Sequence, residues 1–273
     1  MRTCYLLGHP VAHSMSAVMQ NAAFHALGLD AEYRLLDVEM ENLAATVDQL
    51  RNPDTLGSNV TIPHKVAVAY LVDRLDQSAG AVGAVNTIVN EGGTLVGYNT
   101  DGSAAVRALR EVYGPLGGAR VVLLGAGGAA RSVGYALARE GAGLAILNRD
   151  EVKARRLAEV IGAESGGLGE LGSRLRKADV LVNATPVGMA PNAGASPVEA
   201  SMLHRGIIVF DLVYNPPKTR LLSDAEAAEA RTLGGIRMLV YQGGEAFRLW
   251  TWREAPVELM EAAVLDALGG ACP

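Results

Sequence analysis

The chain has 273 residues, 49% of them hydrophobic and 19% charged, with a formal net charge of -5 at pH 7. That length predicts two domains, each able to bury a core, and the acidic balance argues against a nucleic-acid or anionic-membrane partner and for small-molecule work. The cysteines, Cys4 and Cys272, stand near opposite ends without metal-type spacing, which speaks against a disulfide framework or a zinc site and predicts a reducing, cytoplasmic setting. The apolar run at residues 4–7 is too short for a signal-peptide core, and no stretch approaches a membrane span, so no membrane partner is expected.

In chain order the pattern predicts a strand over residues 3–8, a helix over 16–27, a strand over 33–38, a helix over 40–50 and a strand over 56–61. In the first helix Met19, Ala22, Ala23, Ala26 and Leu27 recur at helical spacing, predicting one apolar face against a sheet, and Gly28 ends it. Ser14 and Ser16 stand where the preceding loop meets that helix and offer hydroxyls and free N–H groups to an anion such as a carboxylate. Ser16 alone also reads as a plain N-cap. The strand over 56–61 runs through Pro63 and His64 into Lys65. A lysine in that loop is either a solvated surface charge or a proton donor to an alkoxide formed during hydride transfer. His64 has no orienting partner nearby in sequence and is expected to pack in the loop or at the surface.

After a short helix, a strand is expected across 83–90, with Glu91-Gly92-Gly93 turning it into a partner strand at 94–97. Asn86 interrupts the otherwise apolar first arm. Asp101, after Asn99-Thr100, opens a helix that it caps, unless it lies near Lys65, where it would pair with the ammonium and accept a hydrogen bond from a substrate hydroxyl. The breaker run Gly114-Pro115-Leu116-Gly117-Gly118 predicts a domain boundary.

Beyond it a strand at 120–124, a helix at 129–140 and a strand at 144–148 form one βαβ unit. Gly125-Ala126-Gly127-Gly128-Ala129-Ala130 fits the G-x-G-x-x-[GA] turn, whose helix N–H groups can hold a pyrophosphate; the alternative is a tight turn with small residues for packing. The second strand ends in Asn148-Arg149 where an NAD site usually has an acid for the ribose 2′-OH, and Arg149 with Lys153 suits a 2′-phosphate instead, which implies NADP. Asp150 opposes that charge and leaves NAD open. Strands at 179–183 and 207–212 complete a doubly wound parallel sheet. The segments that follow them, 183–189 and 211–216, are either ligand loops, with Thr185 and Leu212 among the expected cofactor contacts, or ordinary Pro-bounded loops. From Met238 the chain is expected to be helical, with Gln242 at the head of a helix beside Gly243-Gly244. Pro256 opens a last helix that runs to 268. Trp250 and Trp252 are expected to pack between the two domains. The five histidines lack metal-ligand spacing. Ser14, Ser16, Lys65, Asn86, Asp101 and Gln242 together suit a polyhydroxylated acid.

These residues resemble the shikimate dehydrogenase family along nearly the whole chain. The matching segments are 8–16 with His13-Ser14-Met15-Ser16, 59–65, Gly83-Ala84-Val85-Asn86-Thr87, Asn99-Thr100-Asp101-Gly102, 125–130, 183–189, and 238–242 continuing to Phe247. The resemblance implies an α/β fold with an N-terminal α/β substrate domain, a Rossmann-like doubly wound parallel-sheet domain, and C-terminal helices returning to the first domain. The implied division is 1–101 with 238–273 for substrate and 102–237 for NADP, the ligand binding in the cleft between them.

It further implies reversible NADP-dependent reduction of 3-dehydroshikimate to shikimate, on the route to chorismate and the aromatic amino acids. Ser14 and Ser16, helped by Tyr214, would bind the carboxylate. Thr61, Lys65, Asn86, Asp101 and Gln242 would hold the ring hydroxyls, with Lys65 and Asp101 flanking the carbon that exchanges hydride. Gly125, Ala126, Gly127, Gly128, Ala129, Asn148, Arg149 and Lys153 would bind the cofactor. The rivals are a quinate/shikimate dehydrogenase using NAD, and a non-catalytic NADP-binding regulator, which would have no need of Lys65 with Asp101. A monomer or homodimer is expected. Two positions depart from the family pattern: Asp150, where NADP-selective members more often have Thr, and Trp252, where Gly is common after Trp-Thr.

Overall fold

The computed structural model describes residues 1–269, and Cys272 lies outside them. Two units are present: Met1–Asp101 joined by the chain from Val240 onward, and Gly102–Leu239. The run 114–118 therefore falls inside the second unit, as a loop between helix and strand.

In the first unit the order is β1 (Arg2–Gly8), α1 (Ser16–Ala26), β2 (Ala31–Asp37), α2 (Leu43–Gln49), β3 (Thr55–Val60), α3 (Lys65–Val68), β4 (Arg74–Leu75), α4 (Gln77–Val82), β5 (Thr87–Glu91) and β6 (Thr94–Tyr98). The strands make one mixed sheet in the order β2-β1-β3-β5-β6-β4. β3 occupies its middle, buried at every position, and tolerates Ser58 and Asn59 there because both are hydrogen-bonded. The β5–β6 hairpin closes through Gly92 (φ 64°) and Gly93 (φ 95°), both in the left-handed region that a two-residue turn demands and that side chains resist. One face of this sheet packs on a core that includes Leu43, Val47, Val68, Ile88 and Leu95. Burying each such side chain contributes about 1.5–3 kcal/mol.

α1 presents Ser16, Met19, Gln20, Ala23 and Phe24 inward, so its buried face is rotated away from Ala26, which is exposed, and Leu27. The cause is tertiary. α1 packs on α11 (Val257–Ala267) as well as on β2, Phe24 lies 5.2 Å from the ring of Phe247, and Gln20 Nε2 donates to the Gly243 carbonyl at 2.9 Å. Trp250 is a core residue of this unit, donating from Nε1 to the Ile88 carbonyl at 2.9 Å and lying 6.0 Å from the Tyr33 ring, whereas Trp252 is 87% exposed.

The second unit starts one residue into α5 (Asp101–Tyr113) and continues β7 (Arg120–Leu124), α6 (Gly128–Arg139), β8 (Gly143–Leu147), α7 (Glu151–Ile161), β9 (Glu164–Gly166), α8 (Leu171–Leu175), β10 (Val180–Asn183), β11 (Ile208–Asp211), α9 (Arg220–Ala227) and β12 (Arg231–Leu233), and ends within α10 (Gly235–Thr251). Its sheet is wholly parallel, in the order β9-β8-β7-β10-β11-β12. This is the doubly wound dinucleotide-binding order, with its reversal between β7 and β10. β7, β10 and β11 read as continuous apolar runs because helices cover both faces. β4, β9 and β12, only two or three residues long, carry no strand pattern of their own and exist by pairing with a neighbour.

Candidate active site

Strand direction brings the expected substrate residues of the first unit to one edge. β1 and β3 are parallel and end there, β5 is antiparallel to β3 and starts there, and β6 ends there again. Ser14 and Ser16 follow β1, Thr61 and Lys65 follow β3, Asn86 precedes β5 and Asp101 follows β6.

Lys65 Nζ donates to Asp101 Oδ2 at 2.5 Å, with the two side chains only 15% and 5% exposed. An ion pair this far from water survives only when the remaining lone pairs are used. They are: Asn86 Nδ2 donates to Asp101 Oδ1 and to Thr100 Oγ1, both at 2.9 Å, and reaches Gln242 Oε1 at 3.4 Å. Asn86 Oδ1 accepts the Thr100 N–H at 2.8 Å. A second layer backs the first, in which Tyr33 OH donates to Asn59 Oδ1 at 2.9 Å and Asn59 Nδ2 donates to Thr87 Oγ1 at 3.0 Å. Tyr33, Asn59, Thr87 and Thr100 were not among the expected site residues. All four are buried polar side chains inside or beside strands, and that polarity within strand segments was their signal in the sequence.

His64 packs in its loop, one of the two outcomes expected of it, and two other expectations are corrected. His64 is fully buried, and its Nε2 donates to the Val38 carbonyl at 2.6 Å, tying the Lys65 loop to the end of β2. Gln242 lies inside α10 rather than at its head, because the helix already starts at Gly235. Ser16 is the first residue of α1, not its cap; Met15 takes the cap position with no side-chain bond, and Ser14 Oγ accepts the Ser16 N–H at 3.2 Å. Thr61 adjoins this edge through its N–H, which donates to the Leu7 carbonyl at 2.8 Å. Tyr214 belongs to the second unit, in the loop after β11.

In that unit the β7 and β10 ends carry the glycine-rich turn and the 183–189 loop. Gly125 has φ +107°, and a Cβ there would stand 3.0 Å from the Ala184 carbonyl oxygen and 3.2 Å from Thr185 Cγ2. Only glycine fits. Gly127 caps α6 without a side-chain bond, so the first N–H groups of this twelve-residue helix face outward as donors. Beside them Ala126, Gly127, Asn148, Arg149, Asp150 and Lys153 line a pocket of about 350 Å³. This combination fits a dinucleotide: a glycine turn for close approach, a free helix N-terminus for the pyrophosphate and two cations beside the second strand. Asp150 is half-exposed, with Oδ2 3.7 Å from Lys153 Nζ. It caps α7, accepting from Val152 N and Lys153 N.

Thr185 and Leu212 are held by one buried network. Thr185 Oγ1 donates to Asn183 Oδ1 at 2.6 Å, Asn183 Nδ2 donates to Asp211 Oδ1 at 2.9 Å, and Asp211 Oδ2 accepts from Thr219 Oγ1 at 2.6 Å. Leu212 N donates to the Asn183 carbonyl at 3.0 Å. Burial raises the Asp211 carboxyl above the usual range, and its hydrogen bonds partly offset that rise. Among the described residues no group of three or more His, Cys, Asp or Glu could hold a metal, and no helix is long and apolar enough to cross a membrane.

Three family models match the chain: a shikimate dehydrogenase substrate binding domain over residues 6–88, a shikimate/quinate 5-dehydrogenase over 107–217, and a shikimate 5'-dehydrogenase C-terminal domain over 235–265. The chain is 50% identical to a shikimate dehydrogenase (NADP(+)) of Methanopyrus kandleri, covering 96% of this chain and 94% of that one. It is 48% identical to a protein of the same name from Methanothermobacter thermautotrophicus, covering 96% and 95%. Among solved structures it is similar to the Thermus thermophilus shikimate 5-dehydrogenase in complex with NADP(H) and shikimate, with TM-score 0.90, 38% identity and coverage of 98% and 100%.

Proposed function

The chain belongs to the shikimate dehydrogenase family, and from that premise we propose that it interconverts 3-dehydroshikimate and shikimate with NADP(H), a step towards chorismate and the aromatic amino acids. The observation that carries this reading is the nearly buried Lys65–Asp101 pair at the sheet edge, a proton-handling group with no structural task that an apolar pair would not do as well. NADPH, when bound, supplies the hydride for the ring ketone. The protein supplies position and a proton. An ammonium has three N–H donors; Lys65 commits one to Asp101, which leaves donors to polarise the ketone oxygen and pass it a proton as the alkoxide forms. In the reverse direction the same nitrogen takes the hydroxyl proton.

Asp101 fixes the ammonium and, with Asn86 and Gln242, offers acceptors and donors to the neighbouring ring hydroxyls. Thr61, Ser14 and Ser16 supply hydroxyls at the same edge, the serines for the carboxylate at the start of α1. Gly125, Ala126, Gly127, Gly128 and Ala129 cradle the pyrophosphate, Asn148, Arg149 and Lys153 the adenosine end, and Thr185 and Leu212 flank the turn. The units divide accordingly, the first for substrate and the second for cofactor, in a cytoplasmic enzyme.

The test is absorbance at the nicotinamide band with purified protein and either shikimate or quinate, each with NADP or NAD. Fast reduction of NADP with shikimate is the expected result. Turnover of quinate with NAD in preference would move the protein to the quinate branch, and no turnover on any pair would leave only a binding module.

A further inference from the structure

Gln20 stands one helical turn after Ser16 on the buried face of α1, about 6 Å further along the axis. It is fully buried, and its Nε2 donates to the Gly243 carbonyl of α10 at 2.9 Å. The two helices meet there at backbone range: a Cβ on Gly243 would stand 2.3 Å from Met19 Cε and 3.3 Å from Gln20 Nε2. The residue before Gly243 is Gln242, whose carbonyl accepts from Thr100 Oγ1 at 3.1 Å and whose Oε1 lies 3.4 Å from Asn86 Nδ2. Gln20 therefore ties the helix that begins with Ser16 to a residue of the Lys65–Asp101 network. An amide is a poor choice for packing alone. Gln20 Oε1 is buried and accepts no hydrogen bond among the described residues, a state that costs stability which an apolar side chain of similar length would not. The helix pair is also held one turn further on, where the Phe24 and Phe247 rings lie 5.2 Å apart.

We propose that Gln20 is a positioning residue for the reaction: through Gly243 it fixes the span between the serine hydroxyls at the start of α1 and Gln242, and so the alignment of the substrate ring against Lys65. Ser14 Oγ donates to Ser16 Oγ and accepts the Ser16 N–H, both at 3.2 Å, so the serine pair is fixed to that helix end. A substrate gripped at its carboxylate by one helix and at its hydroxyls by the other reacts only when both grips are in register, and a misplacement of about 1 Å costs up to about a hundredfold in rate. The proposal rests on the reading of Ser14 and Ser16 as the carboxylate end of the site.

The experiment compares Q20M and Q20L with the full wild-type chain, each also combined with S16A, by steady-state shikimate oxidation with NADP and by thermal melting. Both apolar variants are expected to melt at or above the wild-type temperature, since they remove the unpaired acceptor. Their kcat should fall about tenfold with KM moving less than about threefold, the split expected when alignment rather than ground-state affinity is lost. In the S16A background the same substitutions should lower kcat by about threefold or less, because one of the two hydroxyls that the span places is gone. An unchanged kcat in both variants with melting preserved, full multiplication of the Gln20 and Ser16 effects, or a lowered melting temperature in both variants overturns the positioning role and leaves Gln20 as helix packing. Unchanged kcat and KM in S16A alone overturns instead the carboxylate reading, whatever the Gln20 variants do.

Discussion

The two ligand-facing sheet edges are built from different materials. In the first unit the edge is a network of side chains, Lys65, Asp101, Asn86, Thr100 and Gln242, drawn from segments as far apart as residues 65 and 242. In the second it is mostly backbone, a glycine turn and a helix N-terminus within six consecutive residues, 125–130. A polyol acid must be recognised hydroxyl by hydroxyl, which takes directional side chains. A pyrophosphate is recognised by charge and close approach, which unsubstituted backbone supplies.

The contrast predicts where each edge breaks. Lys65→Ala should lower kcat by about 10²–10⁴-fold while moving KM far less, since it removes a group used in the transition state. Steady-state assay of 3-dehydroshikimate reduction checks this, and an unchanged kcat would take the proton role from Lys65. Gly125→Ala should do its damage through the backbone, costing about 2 kcal/mol from a disfavoured φ and a forced shift against Ala184 and Thr185. Nucleotide affinity should fall and melting temperature drop together; a variant that melts normally and binds NADP as before would show that the turn tolerates a Cβ.

Backbone demand also exists in the first unit, at Trp252, which ends α10 with φ 58° and an exposed ring. Trp252→Gly should stabilise the chain by about 1 kcal/mol in thermal melts, because this left-handed position suits glycine. The smallest effect belongs to the loop after β1. His9 is hydrogen-bonded to Asp37, which raises its pKa above the ordinary 6.5. The charged pair therefore contributes below that ordinary value, and the contribution is lost as pH rises through the raised one. NMR titration should give a midpoint above 6.5 that falls back towards it in D37N; equal midpoints in the two proteins would show that the pair does not form in solution.

Legibility followed the same division. The β7–α6–β8 unit, its glycine turn, the Asn148–Lys153 segment and the β5–β6 hairpin are contiguous, so local spacing carries them. Lys65 was named with Asp101, but spacing alone left it between a solvated surface charge and a proton donor, because its partner stands 36 positions away. The buried face of α1 was misjudged because periodicity cannot weigh Gln20, buried through a bond to Gly243, against Ala26, which no neighbour covers. Trp250 is held by the Ile88 carbonyl of β5, and Gln242 lies inside α10 because that helix starts early, at Gly235; neither follows from local spacing.

By itself the sequence determined the alternation of strand and helix, the positions where only glycine can turn, and the residue types that can move a proton or hold a phosphate, since these depend on local sterics and side-chain chemistry. Only the tertiary structure decided which polar residues became a network and which short segments became strands. Those outcomes depend on strand order and on partners far apart in sequence, which local spacing cannot specify.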